Sequence, residues 1–199
     1  MTGTDGNRVA ELERELAEEQ RARQALVDTS VRLNSLLNLP ELLNTIIASA
    51  ADLLDAETGS LMLLDEATNE LTFEVATGEA GQEVRELRVP ADRGIAGWVM
   101  QHNEPAVVSD VAGDPRFYGQ IDQSSGFQTR SMLALPLQVR DKAIGVVEVI
   151  NKRGDAGFSD RDRDIATALA AQAAVAIDNA RLYQKLADAV VESRMSYRL

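Results

Sequence analysis

Two periods of apolar residues alternate along this chain, and each change of period marks a change of element. From Val9 to Leu37 the positions Val9, Leu12, Leu16, Leu26, Leu33 and Leu37 follow the steps of one helix face. Glu19, Arg23 and Ser30 interrupt the seam, so the pattern predicts a helix without the unbroken register of a strong coiled coil. Asn38-Leu39-Pro40-Glu41 then reads as a break, with Pro40 at a first helical position, followed by an amphipathic helix, PELLNTIIASAADLLDA. Alternating or fully apolar runs come next, bounded by turn residues: GSLMLLD, ELTFEVATG, EVRELRVP, PAVVSD, SMLALPLQV and KAIGVVEVIN. Arg140-Asp141 between the last two predicts a hairpin.

A short helix, GIAGWVMQHN, is predicted between the third and fourth strands, with Asp92 as its cap. Between the fourth and fifth lies VAGDPRFYGQIDQSSGFQTR, too polar for core and too long for an idle turn. The closing helix starts at a Ser159 cap and repeats apolar residues at Ile165, Leu169, Ala176, Tyr183, Leu186 and Val190, its many alanines permitting close approach. The pattern therefore predicts an α+β domain: a central antiparallel sheet of about six strands, N- and C-terminal helices on one face, and loops, a short helix and a ligand cleft on the other. The organisation expected is a linker or signalling helix over residues 1–38, one domain over 39–192 and a tail or start of a linker over 193–199.

Composition narrows the function. The chain has 199 residues, enough for a core without covalent staples, and no cysteine, which removes disulfides, thiolate nucleophiles, zinc-thiolate sites and thioether-linked chromophores together. A formal net charge of −12 repels a nucleic-acid backbone. The polar, acidic start and the lack of a membrane-length apolar run lead to the expectation of a cytoplasmic protein that binds neither nucleic acid nor membrane.

Catalytic chemistry finds little support. His102 is the single histidine and stands at a helix end with no partner for a metal site, no phosphate loop occurs, and no carboxylate pair is singled out among the 32 acidic residues. The expectation is a protein that is not an enzyme. Binding chemistry has three candidate sources. In VPADRGIAGWV, Gly94 lets the chain turn into a helix whose first amides, at Ile95 and Ala96, can receive an anion; the alternative is that Gly94 and Gly97 serve tight packing. In the long insert, Arg116, Phe117, Tyr118, Ser125, Thr129 and Arg130 can form a lid over a ligand, or the two aromatic residues can anchor a loop to the core. Glu148 interrupts IGVVEVI on the face of Val146 and Ile150, where it lines a cleft or meets solvent.

Taken together, RGIAGWV, the insert, the hairpin, VINK and the long helix resemble the GAF domain, a sensory module of signalling proteins, from about Pro40 to Val190. More narrowly, VPADRGIAGWV, DPRFY, SSGFQTRSMLALP and GVVEVINK look like the cyclic-nucleotide-binding GAF domains of phosphodiesterases and cyanobacterial adenylyl cyclases. That resemblance implies a structural lock of Asn151, Lys152, Phe158 and Asp162, with Lys152 and Asp162 paired, although Arg163 replaces the acidic residue that ends the signature. It implies ligand contacts at Ser60, Ala76, Thr77, Ile95, Ala96, Tyr118, Asp122, Ser125, Thr129 and Glu148. Thr77 departs from the acidic residue of cyclic-GMP-binding relatives, which leaves adenine open.

The ligand implied is cyclic AMP (cAMP) or cyclic GMP (cGMP), with no covalent cofactor. The partners implied are a second copy, in a homodimer through the terminal helices, and a fused or separate output protein. The other readings are a dimerisation scaffold with an empty pocket, or a GAF domain for another metabolite such as a 2-oxo acid. Haem sensing at His102 is a weak third reading, and an enzyme is the least favoured class.

Overall fold

In the computed structural model, residues 39–78 and 81–196 are described. The helix expected from Val9 to Leu37, and with it the 1–38 segment, lies outside these residues. Leu39–Asn179 form one compact unit.

Helix α1 (Leu39–Leu53) buries Leu43, Ile46, Ile47, Ala50 and Ala51, the single stripe that its helical period demands. It leads into strands β1 (Ala56–Asp65) and β2 (Glu70–Ala76). A short helix, α2 (Gly81–Val84), precedes β3 (Arg88–Pro90); then follow α3 (Gly94–His102) and β4 (Ala106–Val108). A further short helix, α4 (Gln120–Ser125), lies within the long insert, before β5 (Met132–Val139), β6 (Lys142–Lys152) and the closing helix α5 (Asp160–Ser196). The strands form one antiparallel sheet in the order β3-β2-β1-β6-β5-β4. The α+β architecture and the six-strand sheet are as the apolar pattern predicts.

Alternation along the two central strands divides the core into two layers. Val147 and Val149 point with Leu61, Leu133 and Leu135 toward α1 and α5, in a cluster that also holds Leu43, Ile47 and Phe158. Val146 and Ile150 belong to the other layer, with Met62, Met132, Ala134 and the inward side of α3, namely Ile95, Ala96 and Val99. Gly59 makes the helical layer close-fitting: a Cβ there would sit 2.9 Å from Ile47 Cγ2.

Several local expectations are corrected. Most of EVRELRVP is not strand: its first part lies in α2 and a turn, and only Arg88–Pro90 pairs, because the adjoining β2 offers partners at Glu70, Leu71 and Thr72 alone. Asp92 does not cap α3; the cap position is Arg93, in extended conformation and without a side-chain cap bond. The apolar stripe assigned to α5 lies to one side of its true inner face, which is Ala166, Ala170, Ala173, Ala174 and Ile177. Ile165 and Leu169 are only partly buried, since Ala166, Ala170, Ala173 and Ala174 bring this part of the helix close to the sheet and leave the larger side chains beside them at the flanks. The Arg140-Asp141 hairpin forms as expected, both residues taking positive φ, 50° and 63°, as a type I′ turn requires. Ser159 caps α5 as expected, accepting from Asp162 N–H at 3.2 Å while its own N–H donates to the Asp162 carboxylate at 2.8 Å.

Among the described residues no helix is long and apolar enough to cross a membrane. From Ala180 the last helix belongs to a second compact unit, on which Leu182, Tyr183 and Leu186 are exposed.

Candidate functional site

The sheet face opposite α1 and α5 is not fully covered, and a cleft of about 400 Å³ opens between β1, β2, α3 and the long insert. All ten residues that the resemblance implies as ligand contacts line it: Ser60, Ala76, Thr77, Ile95, Ala96, Tyr118, Asp122, Ser125, Thr129 and Glu148. The four lock residues stand outside its walls.

Glu148 forms the floor. Strand register places it between Ser60 of β1 and Ala134 of β5. It is 7% exposed, and the Ser60 hydroxyl donates to its Oε2 at 3.2 Å. No Lys or Arg pairs with it among the described residues. Burial drives its pKa up to about 7; the Ser60 hydrogen bond opposes this, and the negative charge of Asp122 across the cleft adds to it.

Helix α3 supplies the opposite chemistry. Gly94 has φ of 75°, which a side chain would resist, and a Cβ there would approach Tyr118 Cβ to 3.0 Å. The chain therefore turns into α3 directly beneath the insert. Gly97 N–H is bonded to Arg93 C=O at 2.9 Å as the first rung of the helix, so the amides of Ile95 and Ala96 have no acceptor within it. Arg93 itself lines the cleft and is exposed. A helix N-terminus with an arginine beside it favours an anion.

The insert is tied down at both stems. Val111 N–H donates to Arg130 C=O at 3.0 Å, closing its base. On the first limb, Arg116 makes two side-chain bonds to Asp114, at 2.9 and 2.6 Å, and lies 4.8 Å from the Trp98 ring centre. On the second limb, Asn151 is completely buried, with φ of 60°. Its Oδ1 accepts from Arg130 N–H at 2.7 Å and Ser131 N–H at 3.3 Å, and its Nδ2 donates to Glu57 at 2.7 Å and to Gln128 C=O at 2.9 Å. Within the implied lock, Asn151 thus fastens the strand to the lid stem, because the left-handed backbone turns its amide toward residues 128–131. Lys152 and Asp162 do pair, at 3.1 Å, and Lys152 Nζ also donates to Leu54 C=O at 2.6 Å. Burial raises the Asp162 pKa, but hydrogen bonds from Ser159 and the Lys152 ammonium outweigh it and hold the carboxyl below its ordinary value.

Several polar groups of the cleft satisfy one another. Asp122 accepts from both the N–H and the hydroxyl of Thr129, each at 2.7 Å, which staples α4 to the second limb. The Thr77 hydroxyl accepts from Gly59 N–H at 2.9 Å and lies 3.1 Å from Gly59 C=O, so it closes the end of β1 and β2 where a base contact was expected. Ser125 bonds back to Ile121 C=O at 2.8 Å, and the Tyr118 hydroxyl meets Gln120. Of the lid arginines, neither Arg116 nor Arg130 lines the cleft: the first is held by Asp114, and the second reaches Glu57 at 2.5 Å. Arg93 and Arg153 line it instead. His102 stacks on Trp98 with ring centres 4.4 Å apart and its Nδ1 lies 2.9 Å from the Trp98 carbonyl, away from the cleft.

Sequence reasoning also missed Phe73. A bulge pairs Leu61 with Val75 but Met62 with Phe73, leaving Glu74 as the extra residue. Val75 consequently enters the helix-side core while Phe73, of the same parity, turns to the cleft. A strict two-residue period cannot find it. The pairing of Asp122 with Thr129 was hidden for a different reason, since α4 has no apolar stripe to announce a helix.

Comparison with known proteins gives a consistent picture. The family model described as GAF domain matches residues 38–177. The chain is 27% identical over 194 residues to a probable 3',5'-cyclic phosphodiesterase, pde-5, of Caenorhabditis elegans; the match covers 92% of this chain and 26% of that protein. Among solved structures, the GAF domain of a phosphoenolpyruvate-protein phosphotransferase from Coxiella burnetii superposes with a TM-score of 0.68 at 19% identity, covering 81% of this chain and 96% of that one. A free methionine-R-sulfoxide reductase from Neisseria meningitidis, solved with its substrate, gives a TM-score of 0.61 at 20% identity, covering 73% and 81%. At these identities the two structures speak for the fold.

Proposed function

The chain belongs to the GAF domain family, and from that premise we propose that it is a sensory domain whose cleft takes a cyclic nucleotide, cAMP or cGMP, and reports its presence through the terminal helices. The observation that carries this reading is the polarity of the cleft: a buried hydrogen-bonding carboxyl at Glu148, and the anion-favouring start of α3 with Arg93, line the same space. A purine with a cyclic phosphate carries donors at one end and an anion at the other. The cleft volume of about 400 Å³ lies within the range of small-ligand sites. Similarity to a protein named as a probable 3',5'-cyclic phosphodiesterase supports the same ligand class.

In this reading the insert closes over the nucleotide, with Tyr118, Asp122, Ser125 and Thr129 on its inner side. Ligand affinity then differs between lid states, as a population shift requires. Asn151, Lys152, Phe158 and Asp162 hold the strand, lid stem and α5 together so that lid movement reaches the helix. The segment 1–38 and the end of α5 serve as the signalling helices of a homodimer in the cytoplasm, coupled to a fused or separate output protein. The role is regulatory rather than catalytic: the chain has no thiol, and the His102 ring is committed to Trp98.

Calorimetric titration with cAMP and with cGMP tests the proposal. Saturable heat with a thermal shift supports it; neither signal at millimolar ligand overturns it. One observation favours a scaffold as the second reading, namely that Asp122, Thr129 and Thr77 are already bonded within the protein. Glu148→Ala and Thr129→Ala separate the two. A sensor loses its ligand response, whereas a scaffold keeps its dimer and partner binding unchanged.

A further inference from the structure

The cleft holds an uncompensated carboxyl. Glu148 makes one hydrogen bond among the described residues, from Ser60 at 3.2 Å, and has no cationic partner. Of the groups packed around it, β5 contributes Ala134 and Met132, neither titratable, and β1 contributes the Ser60 hydroxyl. From the lid, α4 contributes Asp122, whose negative charge opposes ionisation of Glu148. Glu57, Arg93 and Arg153 also line the cleft, but Arg153 reaches Asp55 at 3.3 Å and Glu57 is held by Arg130 and Asn151. A carboxyl in this position has two forms of different recognition chemistry. Ionised, it presents two acceptors; protonated, it presents one donor and one acceptor side by side.

Resting on the cyclic-nucleotide reading, we propose that the protonation state of Glu148 decides whether the cleft accepts adenine, which the neutral acid takes and the carboxylate rejects, while guanine is matched by the carboxylate. Adenine offers an N6–H donor next to a ring-nitrogen acceptor, which matches the acid; against a carboxylate the ring-nitrogen lone pair faces a second acceptor. Guanine offers two donors, N1–H and N2–H, which match the carboxylate. Guanine also has an O6 and N1–H edge that suits the acid, so the switch acts chiefly on adenine. A carboxyl that titrates near about 7 places the change within the working range of a cell.

The test is calorimetric titration of the full chain with cAMP and cGMP at about pH 6 and about pH 8, where neither nucleotide titrates. A ligand that takes only the acid has its dissociation constant divided by the fraction protonated, so the cAMP dissociation constant rises roughly tenfold across this interval. The cGMP constant stays level or falls. Glu148→Gln, whose amide keeps one donor and one acceptor at every pH, removes the cAMP dependence. Asp122→Asn withdraws the opposing charge, makes Glu148 easier to ionise and moves the midpoint of the cAMP profile to lower pH.

A cAMP affinity that changes by less than about twofold, parallel weakening of both nucleotides, binding of cGMP alone at both pH values, or a midpoint unmoved in Asp122→Asn overturns the inference and leaves the nucleotide reading standing. A pH dependence retained by folded Glu148→Gln does the same. Absence of binding by either nucleotide at both pH values removes the reading on which the inference rests.

Discussion

Three positions separate Glu148 from Asn151 on strand β6, and the two buried polar groups live in opposite circumstances. Asn151 has every hydrogen-bonding position of its amide matched, two acceptor bonds and two donor bonds, and its surroundings are made of backbone that must not move. Glu148 has one bond, a like charge opposite and a cleft in front of it. A buried polar network that is complete gives rigidity, while a buried polar group left incompletely bonded is costly in a low dielectric. The same strand therefore carries a fully bonded amide and a carboxyl with a single hydrogen bond that faces the cleft, a contrast that residue type alone does not draw.

The contrast breaks most severely at Asn151. Asn151→Ala orphans Gln128 C=O and two lid-stem amides and places alanine at positive φ, so a loss of about 3–5 kcal/mol of unfolding free energy is expected in urea denaturation. Aspartate at this position keeps the acceptor but sets a charge against Glu57, and does not restore stability. A loss below about 1 kcal/mol in the alanine variant would mean that the four bonds are not the anchor of the lid stem.

The next effect runs the other way. Because the folded pKa of Glu148 is raised from 4.5 to about 7, its contribution to stability is fully present below pH 4.5 and is lost as pH rises through about 7. Glu148→Gln removes that loss and leaves the protein relatively more stable at pH 8 than at pH 5, by about 2–3 kcal/mol between the two conditions. Thermal unfolding of both proteins across this range measures it. A parallel pH dependence in the variant would place the titration elsewhere.

These two residues also mark how far the sequence could be read. Glu148 is legible because a charge amid IGVVEVI breaks a period, and strand alternation then assigns its face. Asn151 is legible as a residue type in a signature, but its partners are not, because they come from the lid stem and from β1, and a left-handed φ chooses them. The sheet, the central hairpin and helix α1 follow from apolar spacing. The inner face of α5 does not, because alanine gives a weak apolar signal while allowing the closest packing. Phe73 was concealed by a bulge, and Asp122 by a helix with no buried residue of its own. All ten expected contacts reach one cleft, yet Thr77 arrives there with its hydroxyl committed to Gly59. Composition and spacing could not supply that detail, which depends on the register between two strands.

A smaller effect tests whether the lock is one device or two. Lys152 and Asp162 are 17% and 12% exposed, and Lys152 also holds Leu54 C=O at 2.6 Å. Removing one partner leaves the other partly buried without its charge, so Lys152→Met is expected to cost about 2 kcal/mol. Since the Asp162 pKa is lowered, its contribution is present above 3.8 and fades as pH falls through the folded value, opposite in sign to Glu148. A double-mutant cycle with Asn151→Ala gives additive losses if lid stem and α5 are fastened independently, and a coupling above about 0.5 kcal/mol if they form one unit.

The smallest change is expected at Arg130, and it isolates what burial contributes to the lock. Glu57 receives Arg130 at 2.5 Å and Asn151 at 2.7 Å, so the same carboxylate holds one exposed and one buried donor. The Arg130 side chain is 54% exposed, and its charge is replaced by water when it is lost. Arg130→Ala is expected to lower stability by no more than about 1 kcal/mol, and by less in high salt, although its bond is the shorter of the two. If it costs as much as Asn151→Ala, the ion pair rather than the buried amide holds the lid stem, and the contrast along β6 between completely and incompletely bonded polar groups loses its physical basis.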